Sequence, residues 1–215
     1  MDPNCTGILP WQISLFTQGF ISVAPTAATV KGLVSLRRLF EQPVVRSPKF
    51  PKKKLPCWSP ALYDAGDKRA NDNVRAITAL VYDFDHATEP PEAIAKMLHK
   101  RGLAFILHTT WSHNPSEPRY RIILFLSRPL TPEEYPTAWA KGLLRIGYDG
   151  GVDRQARNIS RHYALPVHVD GEEYVSEVNV VGTPLDADEL SVVEKKADKK
   201  AASNSPELQL DTQLL

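Results

Sequence analysis

From Val74 to Asp85 the chain is largely apolar and β-branched, and it ends in the alternating pair Asp83 and Asp85. Such a run is a strand. Alternation sends successive side chains to opposite faces, so Leu80, Tyr82 and Phe84 share the face that helices must cover. Asp83 and Asp85 then project side by side from the other face, which reads as the open face of a sheet. Two neighbouring carboxylates repel unless something positive joins them.

The residues after this strand repeat a strand–helix alternation. Thr88 is placed to cap a helix that starts at Pro90-Pro91 and runs through Ile94, Met97 and Leu98 to Arg101-Gly102. Leu103 to Thr110 makes a second strand, parallel to the first in a right-handed unit. A polar loop over 111–118 leads into a third strand, Arg119 to Leu126. Thr131-Pro132-Glu133-Glu134 is a capping box with Pro at the first helical position. It opens a helix through Trp139, Leu143 and Leu144 that stops near Gly147. Arg161 to Val167 and Tyr174 to Val180 read as later strands. The order β-α-β-β-α-β is the split βαβ, ferredoxin- or RRM-like topology of an α+β fold, with its first and third strands adjacent.

The flanks are less patterned. Residues 1–73 form an N-terminal extension in which Pro43, Pro48, Pro51, Pro56 and Pro60 exclude a long helix. Residues 74–182 are the core, and 183–215 read as a polar, disordered tail. The formal net charge over 215 residues is only +1, yet Lys31 to Lys54 holds eight Lys or Arg against the single Glu41. A local basic segment attracts phosphates even on a neutral protein; solvation of a linker is the other reading. Two cysteines, Cys5 and Cys57, make neither a disulfide framework nor a Cys-based zinc site. No apolar run approaches the roughly 18 residues of a membrane span. Met1-Asp2-Pro3-Asn4 lacks the basic start of a secretory signal, so the expectation is a cytoplasmic protein with no membrane contact.

The third strand carries the opposite charge. Arg119 and Arg121 share one face while Tyr120, Ile122 and Leu124 face the core, so the two arginines should lie beside Asp83 and Asp85. Arginine forks suit phosphate oxygens, although the arginines could equally serve to neutralise the acids. After the second helix, Asp153 in Gly151-Val152-Asp153 is a candidate third carboxylate. It is preferred over Asp149, which sits in an Asp-Gly-Gly turn. Arg161 is a further phosphate contact. Carboxylate oxygens of this kind hold hard divalent cations, and two ions can clamp a phosphoryl transfer.

Val81-Tyr82-Asp83-Phe84-Asp85, the strand Arg119-Tyr120-Arg121-Ile122-Ile123-Leu124, and Val152-Asp153 followed by Asn158 and Arg161 resemble the archaeo-eukaryotic primase superfamily. The likeness is to the primase-polymerase domains of plasmid, phage and mobile-element replication proteins, over about residues 74–167. The family's motifs are a strand ending in Asp-x-Asp or Asp-x-Glu, a Ser-x-His opening a strand, and a hydrophobic-Asp. This chain departs at the second, where Arg121 stands in the place of the nucleotide-binding His; His113, in the preceding loop, is the other residue that could serve.

The resemblance implies template-directed nucleotidyl transfer on single-stranded DNA. Asp83, Asp85 and Asp153 would hold two Mg²⁺ or Mn²⁺ ions. Arg119, Arg121, Arg161 and His113 would bind the nucleoside triphosphate. Lys49, Lys52, Lys53, Lys54 and Trp58 would bind template by phosphate contact and stacking. With no Gly-x-x-x-x-Gly-Lys in the sequence, a helicase partner would be separately encoded. A catalytically inert primase-like module that binds nucleic acid is the alternative. A nicking relaxase fits poorly, since none of the six histidines lies two residues from another.

Overall fold

The computed structural model describes residues 11–192. In chain order the elements are β1 (Trp11–Phe16), β2 (Thr26–Val30), α1 (Gly32–Glu41), β3 (Val44–Arg46), β4 (Cys57–Ser59), β5 (Ala61–Tyr63), β6 (Val74–Phe84) and α2 (Pro91–Lys100). They continue with β7 (Phe105–Thr109), β8 (Tyr120–Leu130), α3 (Tyr135–Ile146), β9 (Tyr163–Ala164), β10 (Val167–Val169), β11 (Ser176–Asn179) and α4 (Ala187–Ser191). Among the described residues, no helix is long and apolar enough to cross a membrane.

The central sheet has the order β11-β7-β8-β6-β5, and every pairing in it is antiparallel. β6 and β7 therefore run the same way on either side of β8, and the expected adjacency of first and third strands holds, with Asp83 opposite Arg121. The edges differ from the ferredoxin-like expectation, in which the last strand closes beside the first. That place is taken by β5, which folds back on β6, so β11 closes on β7 instead. The segment read as one strand from Arg161 to Val167 is two short pieces in other sheets: β9 pairs with β4, and β10 runs parallel to β3.

Both faces of the sheet are covered. Leu80, Tyr82 and Phe84 pack with Ile94, Leu98, Trp139 and Leu143 under α2 and α3, as alternation requires. The Tyr82 hydroxyl donates to the Trp139 carbonyl at 2.8 Å, and the Trp139 indole donates to the Val81 carbonyl at 3.1 Å. The face expected to be open is not. Ala79, Val81, Ile106, Ile123 and Phe125 are apolar there too and are covered by Trp11, Ile13, Leu36, Phe40 and Trp58 of the N-terminal segment. Strands apolar on both sides demand two layers.

α3 begins at Tyr135 and not at the expected Pro132, so the Thr131–Glu134 box closes the turn that precedes the helix and not its first turn. Thr131 N–H donates to the Glu134 carboxylate at 2.8 Å while Glu134 N–H reaches Thr131 Oγ1 at 3.4 Å. Arg128 forks onto the same carboxylate and holds its pKa down at about 2. α3 ends at Gly147 with φ +73°, where a side chain would be strained. Thr88 does not cap α2; its hydroxyl meets the Tyr148 hydroxyl at 3.1 Å. The expected tail also begins too early. Leu185, Ala187 and Leu190 are buried, and Asp186 caps α4 through Asp188 and Glu189 N–H groups. These three apolar residues are spaced too sparsely among acids to stand out in sequence. Residues 193–215 of that expected tail lie outside the described residues.

Trp58 lies wholly inside the second layer, 5.3 Å edge-on to Trp11 and 5.7 Å from Tyr163. It is a core residue and cannot stack on a template base. Trp58→Ala should cost about 3–5 kcal/mol, read as a lowered urea midpoint; an unchanged midpoint would contradict this packing.

Candidate active site

The second layer stops where the apolar alternation of the central strands gives way to Asp83, Arg121 and His108, and a cleft of about 790 Å³ opens there. Asp83, Arg121 and His108 are register neighbours across β6, β8 and β7, and all three are buried. Arg121 Nη2 lies 3.2 Å from both Asp83 carboxylate oxygens, and Nη1 donates to the Ala164 carbonyl at 3.4 Å. The guanidinium also sits 4.5 Å from the Tyr163 ring centroid.

Backbone bonds bring Asp153 beside Asp83, just outside the cleft lining. The Asp153 N–H donates to the Asp83 carbonyl at 2.7 Å, and Asp85 N–H donates to the Gly151 carbonyl at 3.1 Å. This zipper needs Gly151: φ is +83°, and a Cβ there would stand 2.3 Å from the His86 carbonyl oxygen. Asp149, the rival acid, is exposed and pairs with Arg154 at 3.2 Å.

Each of the three acids has its own arginine. Asp83 pairs with Arg121; Asp85 meets Arg119 at 3.7 Å; Asp153 meets Arg161 at 3.1 Å while accepting from Gln155 N–H at 2.8 Å. The donors have the right chemistry for a hard divalent cation. They are not assembled for one: among the described residues no group of three or more His, Cys, Asp or Glu is placed to hold a metal.

Lys52, Arg69, Arg121, Arg154 and Arg161 line the cleft against only Asp83 and Asp85, so its field favours a polyanion. Arg69 lies outside any motif and had no sequence signal, whereas Arg154 directly follows Asp153. His108 had one: alternation along β7 places it with Ile106, on the face of Asp83.

His113 is placed elsewhere. It is buried in the 110–119 loop and does not line the cleft; its Nδ1 accepts from Arg119 N–H at 3.2 Å, and burial lowers its pKa. Lys49, Lys53 and Lys54 are exposed, whereas Lys52 lines the cleft and donates to Ser112 Oγ at 3.2 Å. That contact joins the basic turn to Trp111, also in the cleft wall. The Trp111 and Phe50 rings are 6.5 Å apart, with the Arg46 guanidinium 5.3 Å over Phe50. Trp111 thus occupies the position beside the lysines that Trp58 was expected to fill.

Two histidines around the cleft resist protonation. Burial, helped by Arg121, holds His108 at about 3, and burial, helped by Arg69, holds His162 at about 4.

A model of the VapE N-terminal domain family matches residues 63–208. No curated protein matches the chain. Among solved structures, the AEP domain of the cyanophage S-2L primase-polymerase (PrimPol, PP-N190) is 12% identical, with 84% of this chain and 87% of that chain covered and a TM-score of 0.46.

Two outcomes follow from the site's electrostatics. Asp83→Ala leaves a buried guanidinium uncompensated and should cost about 3–5 kcal/mol; a urea midpoint within error of the wild type would refute the pairing. Both folded histidine pKa values lie below the unfolded 6.5, so between about pH 6.5 and 4 the unfolded chain binds protons that the folded chain refuses. Stability should therefore fall as pH falls through that window, with a smaller fall in His108→Gln, measured by urea midpoints at pH 7.5 and 5.

Proposed function

This chain belongs to the VapE N-terminal domain family, and we propose that it is a primase-polymerase domain carrying out template-directed nucleotidyl transfer on single-stranded DNA in the replication of a plasmid, phage or mobile element. The observation that carries this reading is a polycationic cleft lined by Asp83 and Asp85 with Arg121 and Arg161, where Asp83 pairs with Arg121 and Arg161 holds Asp153 just outside the lining. β6, β7 and the intervening β8 are read as the split βαβ unit of a primase core. Asp83, Asp85 and Asp153 would hold the divalent ions, Mg²⁺ or Mn²⁺, whose charge neutralises the phosphoryl oxygens during transfer.

The arginines are then released to the nucleoside triphosphate. Arg161 and Arg154, at the wall, take phosphate oxygens as forks, with Arg121 below them at the floor. A primer 3′-hydroxyl attacks the α-phosphate, the new ester bond forms, and the bond to the β-phosphate breaks with release of pyrophosphate. The template would approach over Lys52, Lys53, Lys54 and Lys49, with Phe50 and Trp111 offering ring faces to unpaired bases. A separately encoded helicase would open the duplex.

One observation favours a second reading, an inert module that binds nucleic acid: every acid of the site is already neutralised by an arginine. Primer extension and de novo synthesis on single-stranded DNA, with Mg²⁺ and with Mn²⁺, separates the two. Asp85→Asn is the variant of choice, because its side chain is 47% exposed and loosely paired and the fold does not rest on it. The wild type should make product and Asp85→Asn about 10²–10³-fold less, the range for losing one transition-state charge partner. Product from both proteins, or from neither while the wild type still binds oligonucleotide, would sink the primase reading.

A further inference from the structure

Three side chains of the cleft lining carry a buried polar atom without a partner among the described residues, Arg69 Nε being one, and the other two lie on adjacent strands. Arg121 Nε and His108 Nε2 are buried with no hydrogen bond among the described residues, although both side chains line the cleft. The two residues face each other in register on β8 and β7. Buried polar groups are nearly always satisfied, so such a pair calls for an explanation.

The chemistry of the pair is specific. His108 Nδ1 lies 2.9 Å from the Thr109 carbonyl oxygen. A carbonyl only accepts, so Nδ1 carries the ring proton and Nε2 of the neutral ring is left as a lone pair. Arg121 Nε–H is a donor. A phosphate oxygen could accept from Arg121 but offers nothing to His108. A cation could be taken by the imidazole but is repelled by the guanidinium beside it. A hydroxyl does both: its oxygen accepts from Arg121 Nε–H while its hydrogen is donated to His108 Nε2.

We propose that His108, together with Arg121, binds a sugar hydroxyl of the nucleotide in this cleft. His108 is then a binding residue that orients the nucleoside end at the floor, while Arg154 and Arg161 on the wall take the phosphates. This rests on the nucleotide reading given above and adds to it the group that reads the sugar.

The test is binding, not synthesis. One nucleoside triphosphate is titrated by calorimetry as its ribo, 2′-deoxy and 2′,3′-dideoxy forms at fixed Mg²⁺. Loss of the contacted hydroxyl should weaken wild-type binding about 5-fold, the equivalent of one hydrogen bond of about 1 kcal/mol, and His108→Leu should bind all three alike. Since a buried histidine can be needed for folding, the wild type is also followed by ¹⁵N NMR. The His108 Nε2 resonance should move with the ribo form and stay put with the dideoxy form. Equal wild-type affinity for all three forms, undiminished discrimination in His108→Leu, or an Nε2 resonance indifferent to the sugar would each overturn the proposal. A protein that binds nucleotides with this discrimination yet makes no product would keep the proposal and lose the primase reading. A protein that binds no nucleotide loses both.

Discussion

The central pair of strands, β6 and β8, is apolar on both faces for most of its length, and most of the molecule is arranged around that fact. Leu80, Tyr82 and Phe84 require one cover, supplied by α2 and α3. Ala79, Val81, Ile123 and Phe125 require another, supplied by β1, α1 and β4 with Trp11, Phe40 and Trp58. Each buried side chain of this size contributes about 1.5–3 kcal/mol of transfer free energy, so neither layer is dispensable. The N-terminal segment is therefore half of a sandwich around the sheet, and its strand β5 extends the sheet as well.

The cleft exists because this rule is broken at one end. Asp83, Arg121 and His108 replace apolar residues on the second face, and an apolar cover cannot extend over them without desolvating charge. The space is bounded instead by the loop that carries Arg154 to Arg161 and by the basic turn at Lys52. Asp83 and Arg121 are tolerated there because each satisfies the other and the guanidinium carbon sits 4.5 Å over the Tyr163 ring. The same pairing that makes the site compatible with the fold keeps its acids engaged. A ligand carrying both a cation and phosphates could exchange partners with all three pairs at once, whereas either alone would strand a charge of the opposite sign.

Much of this was legible in the residues. Apolar period and turn chemistry located β6, α2, β7, β8 and α3, and the capping box at Thr131 and Glu134 closes as its spacing requires. Alternation placed Asp83 opposite Arg121, because register on adjacent strands is a local matter of period two. The errors concern what lies farther away. Trp58 sits beside a basic stretch and looks like a stacking residue until its neighbours Trp11 and Phe40 are known. His113 resembles a free loop histidine until Arg119 N–H is found on its ring. The preceding strand β5 took the edge expected for the last one, and nothing local in Tyr174 to Val180 records that competition.

The sequence by itself determined the core elements β6, α2, β7, β8 and α3, which of their side chains share a face, and that Arg119 and Arg121 lie beside Asp83 and Asp85, since these follow from chain periodicity and nearest-neighbour pairing. Only the tertiary structure decided that the second face is covered, that Arg69 and Arg154 join the cleft, and that Nε2 of His108 is left without a partner there. Those outcomes depend on which distant segments win burial against the sheet, a sum over the whole chain that no local pattern encodes.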